Sequence, residues 1–159
     1  MKHKSYLTAI ARKALPTPTR WLLKNEHVDA NSPHVLDFGC GKCASVNPKA
    51  WVNYDPHYHP LWLAAHEGRY GRIVCNYVLC TLPPEERIDV LKQIQKLLHV
   101  DGLAYVSVRN DRPKNGWGLS SKGTYQGRVR FPFLTQVHKN SQFRIYLLTK
   151  SDPLPTLVA

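Results

Sequence analysis

No apolar run in this chain approaches the roughly 20 residues that a membrane-crossing helix requires, so a bilayer is not an expected environment. The basic start, Met1 to Lys13, lacks the apolar stretch that follows the charges of a secretory signal. The expected location is therefore cytoplasmic, in the chain's own cell or in a host. Cysteine is scarce: Cys40, Cys43, Cys75 and Cys80 are the four. Without export, disulfides among them are not expected. Internal repeats and low-complexity tracts are missing, and 159 residues suit one domain with one core. Acidic residues are few, 11 against 22 Lys and Arg, for a net charge of +11. That imbalance fits a polyanionic partner such as DNA or RNA, through release of condensed counterions, and equally a soluble protein with a positive surface.

Apolar material is sufficient: 43% of residues are hydrophobic, enough for a packed interior. The charge is spread over both ends. Lys2, Lys4, Arg12, Lys13, Arg20 and Lys24 come early, and Arg109, Arg112, Lys114, Lys122, Arg128 and Arg130 come late. If both ends fold to one side, they form a basic rim.

The pattern along the chain predicts an open α/β sheet. Residues 1–30 read as a basic arm followed by a short helix through Trp21, Leu22 and Leu23, capped by Thr17 or Thr19. Val35-Leu36-Asp37-Phe38 is a short apolar strand ending in Gly39-Cys40-Gly41. Residues 50–55 form a second strand, stopped by Pro56, and residues 72–79 a third, apolar almost throughout. Pro83-Pro84-Glu85-Glu86 opens a helix whose apolar positions recur to Leu98, with Asp101-Gly102 as its stop. Residues 103–108 make a fourth strand, residues 110–126 a loop, residues 128–133 a candidate strand and residues 143–148 a last strand. Residues 152–159 read as a flexible tail.

Asp37-x-Gly39-x-Gly41 after a strand lets a ligand approach the backbone closely. Asp55 follows 18 residues later at the end of the next strand, where a carboxylate can accept both hydroxyls of a ribose. Ala44 stands where a dinucleotide fingerprint requires its third glycine, and no Lys-Ser pair signals a phosphate loop. Spacing alone permits a four-thiolate zinc site from Cys40-x-x-Cys43 and Cys75-x4-Cys80. Cys40 lies between two glycines and Cys75 inside an apolar run, however, where free cysteine serves as a small core residue. No metal is expected.

The stretch Val35 to Gly41 resembles motif I of the class I methyltransferases, and Asp55 matches their ribose-binding acid. Ile73 to Leu79, then Leu82-Pro83 and a helix, looks like their fourth-strand motif. More narrowly, the chain resembles a short form of the DNA phosphorothioation-associated methyltransferases. That likeness runs over residues 10–126, through Ala14-Leu15-x-x-Pro18, Trp21-Leu22-Leu23, Tyr54-Asp55-Pro56-His57-Tyr58, Asn76-Tyr77-Val78-Leu79, Val106-Ser107-Val108-Arg109 and Gly118-Leu119-Ser120. It implies a reduced Rossmann-like fold in a single domain, with a mostly parallel sheet and a C-terminal antiparallel strand. It also implies S-adenosylmethionine as cofactor, held by Asp37, Phe38, Gly39, Cys40, Gly41, Asp55, Pro56 and Asn76. Only 16 residues separate Asp55 from Arg72, too few for the usual third strand and its helices, and little room for a helix follows Gly41.

Methyl transfer from a sulfonium needs positioning and sometimes a base, so the lack of a catalytic triad does not argue against an enzyme. Asn76 stands where these enzymes keep a residue facing the methyl group, and Tyr77 beside it can stack on a substrate or pack. His57 can act as a base near neutral pH, although two histidines in a surface loop, His57 and His59, look the same. Trp117 can stack on a nucleobase or close a hydrophobic cluster. The proline-rich motif of DNA amino-methyltransferases and the Pro-Cys nucleophile of the cytosine-C5 enzymes are both missing at Cys75 to Leu79. The acceptor is left open among nucleic acid, protein and small molecule. The alternative is a non-catalytic module that binds the cofactor or a partner and carries a basic nucleic-acid-binding surface.

Overall fold

The computed structural model describes residues 5–111, 118–119 and 124–156. Six strands form the main sheet: β1 (Val35–Phe38), β2 (Val52–Tyr54), β3 (Tyr70–Asn76), β4 (Leu98–Arg109), β7 (Thr135–Lys139) and β8 (Phe143–Thr149), in the order β2-β1-β3-β4-β8-β7. A two-residue ladder, β5 (Gly118–Leu119) with β6 (Tyr125–Gln126), stands apart. Strands β2, β1, β3 and β4 are parallel, β8 is antiparallel to β4, and β7 is antiparallel to β8.

Alternation assigns the two faces. Ile73, Cys75, Ala104, Val106 and Leu148 point to one side. There they meet Ile88, Leu91, Ile94 and Leu97, the apolar stripe of α2 (Pro84–Leu97). Val74, Tyr105 and Ile145 point to the other, where Leu22 of α1 (Thr17–Lys24) and Trp51 cover them. Burial on both faces explains why β3 reads as a continuous apolar run.

The sheet is reduced, as its spacing implied. β2 is the edge strand, and residues 56–69 contain a 3₁₀ turn, Leu63–His66, but no strand. Residues 39–51, between β1 and β2, form turns without a helix.

Several expectations are corrected. Neither Thr17 nor Thr19 caps α1; Pro16 holds that position, and Thr19 is buried against β3 instead. Asp101-Gly102 does not end α2, which stops at Leu97 as the chain turns directly into β4. Gly102 is needed there because a Cβ would stand 2.8 Å from the carbonyl oxygen of Tyr70. Residues 128–133 are not a strand; the outer strand is β7, whose polar, half-exposed residues carry no apolar alternation. The chain from residue 152 is docked at its start, since Gln95 Nε2 donates to the Asp152 carbonyl at 2.8 Å and Leu154 packs on the core. Trp117 lies outside the described residues, as do Arg112, Lys114, Lys122 and residues 157–159.

Candidate functional site

The short strand β1 leaves the sheet at Phe38, and the chain must turn at once to reach β2. Gly39 (φ +80°) and Gly41 (φ +54°) make that turn in the left-handed region that glycine enters without steric penalty. The backbone N–H groups of Gly39 and Cys40 both donate to the Tyr54 carbonyl, at 2.7 and 2.9 Å, which ties the turn to the end of β2.

Above the turn, at the carboxyl ends of β1, β2 and β3, lies a cavity of about 420 Å³. Small-molecule sites span roughly 300–1,000 Å³. Asp37, Phe38, Gly39, Cys40 and Gly41 line its base, Asp55, Pro56 and His57 one side, and Asn76 and Tyr77 another. Every residue assigned to the site from sequence therefore reaches the same cavity. Glu86, Val90 and Gln93, successive positions on one face of α2, close its far end.

Asp55 organises the rim. Its Oδ1 accepts from the backbone N–H groups of His57 (2.8 Å) and Tyr58 (3.0 Å), and its Oδ2 accepts from Gly41 N–H (3.0 Å). A carboxylate offers about four acceptor positions, so one position on Oδ2 is left. The loop N–H groups take the other three positions.

Asp37 is buried under the turn, with its Oδ2 2.6 Å from Asn47 Nδ2. Burial pushes its carboxyl up to about 7, against the lowering effect of the Asn47 hydrogen bond, and the nearby Asp55 charge adds to the rise. Asn47 was not legible as a site residue. It sits in an irregular turn ahead of Pro48, and only the fold brings it to Asp37 and to Asn53 Oδ1, 2.7 Å away.

Asn76 lines the cavity with its side-chain amide hydrogen-bonded at both ends. Its Nδ2 donates to Thr19 Oγ1 at 2.7 Å, and its Oδ1 accepts from Ser107 Oγ at 2.9 Å. Thr19 and Ser107 are both 1% exposed, so the amide is held by a buried chain. Tyr77 follows at φ +60°, a conformation that a bulky residue adopts only under constraint. The Arg109 guanidinium lies 5.3 Å from its ring centre. Burial raises the Tyr77 phenol to about 12, with Arg109 and Arg12 pulling it part of the way back, so at neutral pH it is a hydrogen-bond donor and not a base. His57 is exposed on the rim, where it stacks on Tyr6 with centroids 4.3 Å apart. Burial raises the Cys40 thiol, with Asp37 and Asp55 adding to the effect, so it stays protonated. Among the described residues, no three metal-ligating side chains are grouped.

No protein-family model and no curated protein matches the chain. Solved structures do. CcbJ methyltransferase from Streptomyces caelestis is similar at a TM-score of 0.55 and 17% identity, over 92% of this chain and 98% of that one. The 1,6-didemethyltoxoflavin-N1-methyltransferase of Burkholderia thailandensis, solved with S-adenosylhomocysteine, is similar at 0.54 and 16%, over 87% and 92%. The fold is that of the class I methyltransferases. Among the described residues, β2 is the edge strand of the sheet, and Asp55 follows it directly.

Proposed function

We propose that this chain binds S-adenosylmethionine over the Gly39–Gly41 turn and transfers its methyl group to an acceptor. The observation that carries the proposal is Asp55 Oδ2, hydrogen-bonded to Gly41 N–H inside the cavity with one acceptor position left for a ribose hydroxyl. The fit extends to the base of the cavity, where the Asp37 carboxyl can answer a cationic group. Bound there, the cofactor supplies a methyl group activated on a sulfonium. The chain's own residues bind and orient: Asp55 the ribose, the glycine turn the close-packed sulfur side, and Tyr77 the approaching acceptor. The Burkholderia enzyme's bound S-adenosylhomocysteine supports the same cofactor here. The net charge of +11 supports DNA or RNA as the acceptor, in line with the likeness to the phosphorothioation-associated enzymes.

Calorimetry with S-adenosylmethionine and S-adenosylhomocysteine tests the cofactor, and transfer of labelled methyl to RNA, DNA and protein extracts tests the reaction. Binding that weakens about tenfold or more in Asp55→Ala is expected, from loss of a charge-assisted hydrogen bond. No binding at millimolar cofactor overturns the proposal. A second reading, cofactor binding without transfer, is favoured by the capture of the Asn76 amide by Thr19 and Ser107. Binding without any labelled product would establish it.

A further inference from the structure

The N-terminal arm does not hang free. Residues 5–12 cross the mouth of the cavity and are fastened to both sides of it. Tyr58 OH donates to the Tyr6 carbonyl at 3.1 Å, the Tyr6 ring stacks on His57, and the Cys43 thiol points to the Ile10 carbonyl at 3.8 Å. Ala9 lies so close over the turn that a Cβ on Gly41 would stand 3.2 Å from its own. Glycine at 41 thus serves the arm as well as the turn.

The arm brings one cation into the cavity. Arg12 is half-buried and lines it together with Cys43 and Tyr77. It thus shares one cavity with the glycine turn, Gly39 to Gly41, and with Asn76 and Tyr77 at the end of β3. Arg12 forms no ion pair with any described carboxylate, and a guanidinium has five N–H donors. Among the described residues, Lys42 is the other Lys or Arg on the cavity lining. Arg109 is held by both oxygens of Asp111, at 2.9 and 2.6 Å, and Lys42 is exposed over the Tyr58 ring.

A ligand whose ribose sits at Asp55 can extend its other end toward Asp37, Tyr77 and Arg12, which line the same cavity. For S-adenosylmethionine or its product, that end is an α-amino acid, a zwitterion that needs an anion for its ammonium and a cation for its carboxylate. Asp37 and Arg12 are such a pair, one on β1 and one on the arm. We infer that the arm is an integral wall of the cofactor site and that Arg12 binds the α-carboxylate. This rests on the methyl-donor reading of the cavity. Arg is suited to the task because its planar fork meets a carboxylate with two parallel hydrogen bonds.

The test compares two ligands on the full chain. S-adenosylhomocysteine carries the amino-acid end; 5′-methylthioadenosine keeps adenine, ribose and sulfur but lacks it. In Arg12→Ala, S-adenosylhomocysteine affinity is expected to fall about tenfold to a hundredfold, from loss of a charge-assisted pair, with methylthioadenosine affinity unchanged. Arg12→Lys should lie between, since it keeps the charge without the fork. If Arg12→Ala weakens both ligands equally, its role is structural and the inference fails; if it weakens neither, it fails as well. Wild-type protein that binds neither ligand refutes the methyl-donor reading itself, a result distinct from either.

Discussion

Asp37 carries the site's buried carboxyl. Its folded carboxyl, at about 7, stands above the unfolded value of 3.8, chiefly through desolvation. The native state therefore holds a proton that the unfolded state releases between those values, so stability falls as pH rises from 3.8 to about 7 and then levels off. Asp37→Asn removes this dependence and should gain on wild type by a few kcal/mol between pH 5 and pH 8, about 1.4 kcal/mol per unit as an order of magnitude. Urea unfolding of both proteins at the two pH values checks it; a difference that does not change with pH would mean that Asp37 is not the buried titrating group. The same proton opposes a cationic ligand, so S-adenosylmethionine affinity should rise from pH 6 to pH 8 in wild type and not in Asp37→Asn. Gly39 makes a steric demand instead. A Cβ there would overlap Val78 Cγ2 and force a left-handed φ on a residue that resists it. Gly39→Ala should cost about 1–3 kcal/mol in thermal unfolding, and Val78→Ala in the same chain should recover only the steric part.

The elements meet the site through polar joints that periodicity does not encode. Thr19 on α1, Asn76 on β3 and Ser107 on β4 are joined side chain to side chain. Thr19→Ala removes the partner of the half-buried Asn76 amide, at an expected cost of about 1 kcal/mol, while Thr19→Ser keeps the hydroxyl and should cost less. Chemical denaturation of the two variants separates the loss of the bond from the loss of the methyl group. Gly102 plays a comparable part between β3 and β4. The close Tyr70 and His99 carbonyls are backbone and cannot swing away, so Gly102→Ala should lower the melting temperature clearly.

At the scale of the molecule, the two apolar clusters lie on opposite faces of one sheet and share its strands. We propose on that ground that the chain unfolds as one domain, in a single transition. Far-ultraviolet circular dichroism and tryptophan fluorescence should give coincident curves, whereas separated midpoints would show two units. The basic charge leads to a second expectation, that any DNA or RNA affinity falls steeply between low and physiological salt.

What the sequence by itself determined is what short-range chemistry dictates. Strand β1, the glycine turn, the acid at Asp55 and the apolar stripe of α2 were legible, because steric freedom at glycine and hydrophobic periodicity act over a few residues. The counts between Asp55 and Arg72, and after Gly41, also showed that a strand and a helix were missing. Tertiary structure alone decided the rest, because it depends on pairs distant in the chain. Asn47 reaches Asp37 only when β2 lies beside β1; the Asn76 amide turns to Thr19 and Ser107 only when α1 packs across β3 and β4. Arg12 enters the cavity only because the arm is stacked and hydrogen-bonded at its rim, through contacts between residues that no local pattern links.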